Sequence, residues 1–489
     1  MLFSSVVFIF FFLPVVLTLY LLPSNRWRNL LFLCASFFFY AWSEGAYLLV
    51  LLLSIFGNYL FGLWLARAGT APAGGEGAKS GKVALISGLC FNLGLLAVFK
   101  YTNFFTANLN ALLGWGGLAP VALNPVYAPL GISFFTFHAI SYLVDVYRGD
   151  APARKSPAGL ALYMAAFPKI LAGPIAFYRN SAAELDGRAL SCGRFLYGLE
   201  RFITGLAKKV LIATPLAGIA DAAFGVPAAS LDPLAAWAGI VCYSLQIYFD
   251  FSGYSDMAIG LGRMFGFDYP ENFNYPYISQ SVREFWQRWH ISLSTWFRDY
   301  LYIPLGGNRC APPRQYLNLI VVFLLCGLWH GASWNFIVWG AWYGFFLALE
   351  RTRLGDIIRS AWRPVRHLYL LLVMVIGWVF FRAEGLGYAT AYLGAMVGLR
   401  NGSGSEAHFA VAVNNEVLAI VPLAVALCFP ISGQIRRIAL LVKTRAQHSL
   451  EGASFAFSAA YAVFLSMIFA ISCMSLAGST QKAFIYFKF

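Results

Sequence analysis

The sequence predicts an all-α integral membrane protein, and two compositional features and one charge pattern carry that prediction. Of 489 residues, 60% are hydrophobic and only 11% are charged, whereas soluble domains hold about 25% charged residues. Apolar runs recur along the whole chain at lengths suited to crossing a bilayer core of about 30 Å. The Lys and Arg residues gather in the intervals between those runs, as the positive-inside rule requires of cytoplasmic loops.

Taken in order, the runs cover residues 2–22, 31–42, 47–65 and 83–99, then the more polar 128–143, 160–177 and 202–223. Residues 234–248, 317–349, 368–381, 417–429 and 455–474 complete the series. This gives roughly 10 to 13 spans in a single membrane domain over residues 1–489, with the chemically distinctive motifs at about 129–350. No basic residue precedes the first run and no small-residue cleavage site follows it, so it is expected to remain as a first span. Arg26 and Arg28 follow that run, and Arg67, Lys79 and Lys82 follow the third. Both clusters lie in the cytoplasm if the N-terminus and the turn at 43–46 face the periplasm. The absence of an internal repeat weighs against paired-repeat transporters.

Residues 68–81, rich in Gly and Ala, read as a flexible loop; residues 351–366 carry five arginines; residues 400–416 read as an exposed polar loop. The net charge of +14 is spread between spans, which suits cytoplasmic loops and anionic lipid and speaks against nucleic acid. The 8 Cys residues show no CxxC spacing and read as small hydrophobes without a disulfide framework or metal site.

The stretch 269–313 is too polar to span yet dense in aromatics. At helical spacing Trp286, Trp289, His290, Leu293, Trp296 and Tyr300 fall on one face, which predicts an amphipathic or re-entrant helix near the interface. Pro304 and the Gly306-Gly307 pair should end it. Its arginines, Arg283, Arg288, Arg298, Arg309 and Arg314, suit phosphate groups. Lipid headgroups and a phosphate-bearing acyl donor both fit. His290 lies among these cations and reads equally as a solvated contact or as part of a site.

His330 stands apart. It is the only Asp, Glu, Lys, Arg or His between Tyr316 and Leu349, and an intramembrane ionisable group is a functional-site hypothesis by default. A straight helix over 316–349 would extend about 50 Å, well beyond the bilayer core. The segment must tilt or break, and Gly327, Gly331, Ser333 and Asn335 around the histidine offer the break. Asp250 and Asp256 are poorly placed to share a helical face and are expected to pair with nearby arginines, while Asp145 and Arg148 pair or face headgroups. His138 carries no expected role. No phosphate-cradling Gly loop, HExxH motif or GxSxG elbow is present.

The string Arg288-Trp-His290-Ile-Ser-Leu-Ser-Thr-Trp-Phe-Arg298-Asp-Tyr and the later Gly327-Leu-Trp-His330-Gly-Ala-Ser-Trp-Asn335 resemble the membrane-bound O-acyltransferase (MBOAT) superfamily. Pro129-Leu-Gly-Ile-Ser-Phe-Phe-Thr-Phe, Phe167-Pro-Lys-Ile-Leu-Ala-Gly-Pro174 and Tyr248-Phe-Asp-Phe-Ser-Gly-Tyr-Ser-Asp256 support the resemblance. Within the superfamily the chain is similar to the branch that acetylates alginate and other exopolysaccharides. A teichoic-acid D-alanyl transfer protein and a transporter or channel with a midplane histidine are the alternatives.

The resemblance implies a polytopic fold around a central funnel, with His330 the essential histidine and His290 a second, assisting site. It further implies an acetyl group taken from a cytoplasmic thioester, acetyl-CoA or an acyl carrier, and passed across the bacterial inner membrane. A partner acetyltransferase outside finishes the transfer. No tightly bound cofactor and no metal are expected. Neutral imidazole is the usual base for acyl transfer near pH 7. Arg283, Arg288, Arg298, Trp289 and Asn335 are the expected donor-side residues, with His290, Asn335 or backbone groups holding the donor carbonyl.

Overall fold

Helices account for almost all regular structure in the computed structural model, which describes residues 1–22, 25–69, 76–227, 230–399, 414–431 and 451–478. No strand occurs among the described residues, so every span satisfies its own backbone groups, as a bilayer demands. A π turn, Phe8–Phe12, leads into α1 (Leu13–Leu21), α2 (Asn25–Glu44) and α3 (Leu48–Ala68). Then α4 (Glu76–Leu96) runs through a second π turn, Ala97–Tyr101, into α5 (Thr102–Trp115).

The next group is α6 (Ile132–Arg148), the short α7 (Pro157–Ala165), α8 (Phe167–Ile170) and α9 (Tyr178–Ser181), then α10 (Cys192–Ala207). A π turn at Lys208–Ala213 joins α10 to α11 (Thr214–Phe224), followed by the long α12 (Pro233–Met264). The aromatic stretch forms α13 (Val282–Arg288) and α14 (Ile291–Phe297), with a π turn at Arg298–Tyr302. The chain continues as α15 (Pro312–His330), α16 (Trp334–Leu349), α17 (Arg353–Ser360), α18 (Arg363–Arg382), α19 (Leu386–Met396), α20 (Asn415–Leu427) and α21 (Glu451–Gly478).

Among the described residues, six stretches are long and apolar enough to cross a membrane: 27–68, 79–115, 192–224, 233–264, 363–382 and 458–478. The first of these takes in α2 from Trp27 onward and all of α3. The loop expected over 68–81 is shorter than that, since α4 begins at Glu76. The polar loop expected at 400–416 lies outside the described residues except for its last three positions.

The segment 316–349 breaks where expected. α15 stops at His330, Gly331 is extended, and α16 starts at Trp334, so the two helices fold back on each other. Close approach is what holds this hairpin. A Cβ on Gly327 would lie 2.1 Å from the Phe336 carbonyl oxygen, and one on Gly340 would lie 2.2 Å from that of Phe323. Only glycine lets these backbones meet.

Acidic residues within the bundle are paired, Asp256 with an arginine as expected and Asp250 with a lysine. Asp256 binds Arg201 at 2.7 Å and Lys208 at 2.6 Å, whereas Asp250 binds Lys209 at 2.5 Å. Asp145 and Arg148 do not pair with each other. Asp145 accepts from the Tyr300 hydroxyl at 2.7 Å and the Arg179 N–H at 2.9 Å, while Arg148 donates to the Asp299 carbonyl at 3.1 Å. Each of the eight cysteines is a free thiol. His138 is fully buried, set edge-on to Tyr163, and neither ring nitrogen has a hydrogen-bond partner among the described residues.

Candidate functional site

A helix ends with its last four carbonyls lacking intrahelical partners. At the end of α15 each has found a donor. Gly331 N–H takes the Gly327 carbonyl at 3.3 Å, and the Tyr101 hydroxyl takes that of Leu328 at 2.9 Å. The Lys100 ammonium donates to the Trp329 carbonyl at 2.5 Å and the His330 carbonyl at 3.3 Å. His330 is thereby fixed on the final turn, about 27 Å along the helix from Pro312 at the usual rise per residue.

His330 is 5% exposed. Aromatic edges and faces enclose it: Trp329 at 4.8 Å between ring centroids, Trp339 at 4.9 Å and Phe381 at 5.2 Å, all close to perpendicular. The indole N–H groups of Trp329 and Trp339 are buried and have no hydrogen-bond partner among the described residues. Such donors suit an oxygen that gains charge during reaction.

His290 is not on a continuous amphipathic helix, which corrects the expectation for 286–301. α13 ends at Arg288, and His290 adopts a left-handed backbone, φ 43° and ψ 54°, before α14 begins. This conformation is costly for a residue with a Cβ and persists only where the surroundings impose it. Asn272 imposes it. Its Oδ1 accepts the Ser292 N–H at 3.2 Å and the Ser292 hydroxyl at 2.9 Å and lies 3.1 Å from His290 Nδ1, while its carbonyl accepts the Ile291 N–H at 2.9 Å. The stretch is also buried within the bundle: Trp286, Trp289, His290 and Trp296 are all nearly inaccessible. Pro304, Gly306 and Gly307 fall in the turn that ends it, both glycines with positive φ.

Trp329 stands between the two histidines, its ring 4.8 Å from His330 and 6.3 Å from His290. The two imidazoles, forty positions apart in sequence, therefore share one aromatic wall.

A cavity of about 840 Å³ opens between α13, α14, α15 and α17, with neither His290 nor His330 in its lining. Arg283 and Arg298 line it, joined by Arg351, Arg359 and Arg366 from the basic interruption, and it reaches Cys326, one turn before His330. The three later arginines were visible in the sequence as a charge cluster, but nothing there places them beside Arg283. The remaining expected donor-side residues lie elsewhere. Arg288 binds Glu284 at 3.0 Å and the Asn274 carbonyl at 3.1 Å. Trp289 packs against Phe285, Phe273 and Trp378. The Asn335 amide donates to the Ala383 carbonyl at 2.6 Å and so ties α16 to the end of α18. Arg309 and Arg314 do not line the cavity.

The model of the MBOAT, membrane-bound O-acyltransferase family matches residues 130–386, more than half of the chain, from just before α6 to the start of α19. The chain belongs to the membrane-bound O-acyltransferase family. It is an O-acyltransferase of the membrane, similar over 100% of both chains, at 42% identity, to the probable alginate O-acetylase AlgI of Azotobacter vinelandii. The Pseudomonas aeruginosa protein of the same name is 45% identical over 87% of this chain and 81% of its own. A peptidoglycan O-acetyltransferase of Helicobacter pylori is 38% identical over 82% of this chain and 80% of its own. The matched segment holds both histidines and the whole arginine-lined cavity, but it excludes Lys100 and Tyr101.

Proposed function

We propose that this O-acyltransferase takes an acetyl group from a cytoplasmic thioester and passes it across the bacterial inner membrane for O-acetylation of an exopolysaccharide of the alginate type. The relatives named as alginate O-acetylases, at 42% and 45% identity, favour that acceptor over peptidoglycan, named for the relative at 38%. The observation that carries the mechanism is the course of α15, which joins an arginine-lined cavity at Cys326 to a buried imidazole at its last residue. Arg283 and Arg298 hold the phosphates of acetyl-CoA or of an acyl carrier's phosphopantetheine arm, and the thioester extends toward His330.

The His330 imidazole takes the proton from the hydroxyl of an intermediate carrier, which receives the acetyl group ahead of the polysaccharide, as the hydroxyl oxygen attacks the thioester carbonyl. The C–S bond breaks, and the proton leaves on the thiol. His290 and the indole N–H groups of Trp329 and Trp339 steady the carbonyl oxygen, in place of Asn335, whose amide is already engaged. The cavity side faces the cytoplasm and the N-terminus the periplasm. The Met1 ammonium and Ser43 share one end of the bundle, while the Gly81 end of α4 sits beside Tyr147 at the other, consistent with that orientation. A periplasmic partner acetyltransferase completes the transfer.

Proteoliposomes holding the full chain and a radiolabelled acetyl thioester test the reading. Wild type should cleave the thioester, and His330→Ala should lose about 10²- to 10⁴-fold in rate, the usual worth of a general base. Wild type that cleaves neither acetyl-CoA nor acetylated carrier, yet moves ions or intact solute, would establish a transporter instead.

A further inference from the structure

We infer that Lys100 is a positioning residue for the acyl-transfer step, setting the backbone on which His330 is carried. It is the only Asp, Glu, Lys or Arg between Lys82 and Asp145, and it sits within the membrane-crossing stretch 79–115. A cation there is expensive unless its three donors and its charge are met. The donors are met in full, by the carbonyls of Trp329 and His330 at 2.5 and 3.3 Å and by the Ser133 hydroxyl at 3.2 Å. No carboxylate among the described residues forms an ion pair with it. The charge is answered by the negative end of the α15 dipole, where a cation is stabilising.

Two details separate positioning from a mere clip between helices. The carbonyls held are those of the histidine and its neighbour, so a rotation of either peptide swings the imidazole directly. The π turn Ala97–Tyr101 also delivers consecutive side chains, Lys100 and Tyr101, to three successive carbonyls of one helix end. π turns within helices occur frequently at functional sites. The inference rests on the reading of His330 as the base.

The test uses the purified full chain and whichever acetyl thioester wild type cleaves. Lys100→Met should lower kcat on the order of 10²-fold, as a displaced catalytic group does, with KM within about twofold because donor binding is untouched. Lys100→Arg should recover part of the rate, and ethylammonium should restore part of it to Lys100→Ala. On a His330→Ala background Lys100→Met should add no further loss. Unchanged kcat in Lys100→Met overturns the inference. So does a loss that tracks only the fraction of folded protein with no recovery by Arg or ethylammonium, and so do losses at the two positions that add in full. Full activity in His330→Ala removes the base assignment and this inference with it, whereas unchanged kcat in Lys100→Met beside an inactive His330→Ala overturns the inference alone.

Discussion

The Glu350 carboxylate accepts the backbone N–H of Val282 at 2.6 Å, so the residue that follows α16 caps the start of α13. Its second oxygen accepts the N–H of Arg283 at 3.1 Å, and the arginine that lines the cavity is thereby anchored at its backbone. Glu350→Ala should lower stability by about 1–2 kcal/mol, the usual cost of a lost cap, and raise KM for the thioester. Burial lifts the Glu350 carboxyl above its ordinary range, and the Val282 and Arg283 N–H groups offset only part of this. A carboxyl raised in the folded state favours its protonated form. Its stabilising contribution is complete below the ordinary value of about 4.3 and is lost as pH rises through the raised one. Melting temperatures recorded from about pH 4 upward should fall less steeply in Glu350→Gln than in wild type.

The left-handed backbone at His290 predicts an unusual order of stabilities. Both His290→Ala and His290→Gly remove the ring, but only glycine relieves the backbone. The glycine variant should be more stable than the alanine variant by about 1 kcal/mol, the cost of this conformation for a residue with a Cβ. Chemical denaturation of the two purified variants measures the difference; an alanine variant as stable as the glycine one would deny the strain.

The α15–α16 hairpin predicts that Gly327→Ala is severe despite adding one methyl group. Its Cβ meets backbone, which cannot rotate away, so the helices must part. Activity should drop on the order of 10²-fold, since the displacement reaches His330 on the same helix. Gly385→Ala, where a Cβ meets nothing within 4 Å, is the matched control and should stay near wild type in thioester cleavage.

The arginines divide by position. Arg283→Gln and Arg298→Gln should each raise KM for acetyl thioester about tenfold or more, the worth of a charge-assisted hydrogen bond. Arg288→Gln removes a partly exposed i,i+4 pair with Glu284 and a hydrogen bond to the Asn274 carbonyl, neither of them at the cavity; the exposed pair is worth less than about 1 kcal/mol, and KM should stay near wild type. Steady-state kinetics on the three variants separates them.

His330 and the break beside it were legible because isolation in an apolar run and helix-breaking neighbours are properties of adjacent residues. The same isolation marks Lys100, but it falls one residue past the apolar run 83–99 and so is easily taken for a loop cation. The bend at His290 left no trace in residue spacing, since one reversed φ angle alters no side-chain type. Asn272, which holds that bend, looks like any loop asparagine. The paired arginine clusters could each be seen, but only the packing of α13, α15 and α17 makes them one surface.

The π turns have a consequence for how sequences of this kind tolerate change. Each inserts one residue more than an α turn holds, shifting the helical phase of everything after it by about 100°. Ala97–Tyr101 carries Lys100, Lys208–Ala213 carries the lysines that meet Asp250 and Asp256, and Arg298–Tyr302 begins with a cavity arginine. Loss of a single residue in any of these turns would restore a smoother helix and rotate a cation away from its partners. At these places chain length itself sets where a cation meets its partners.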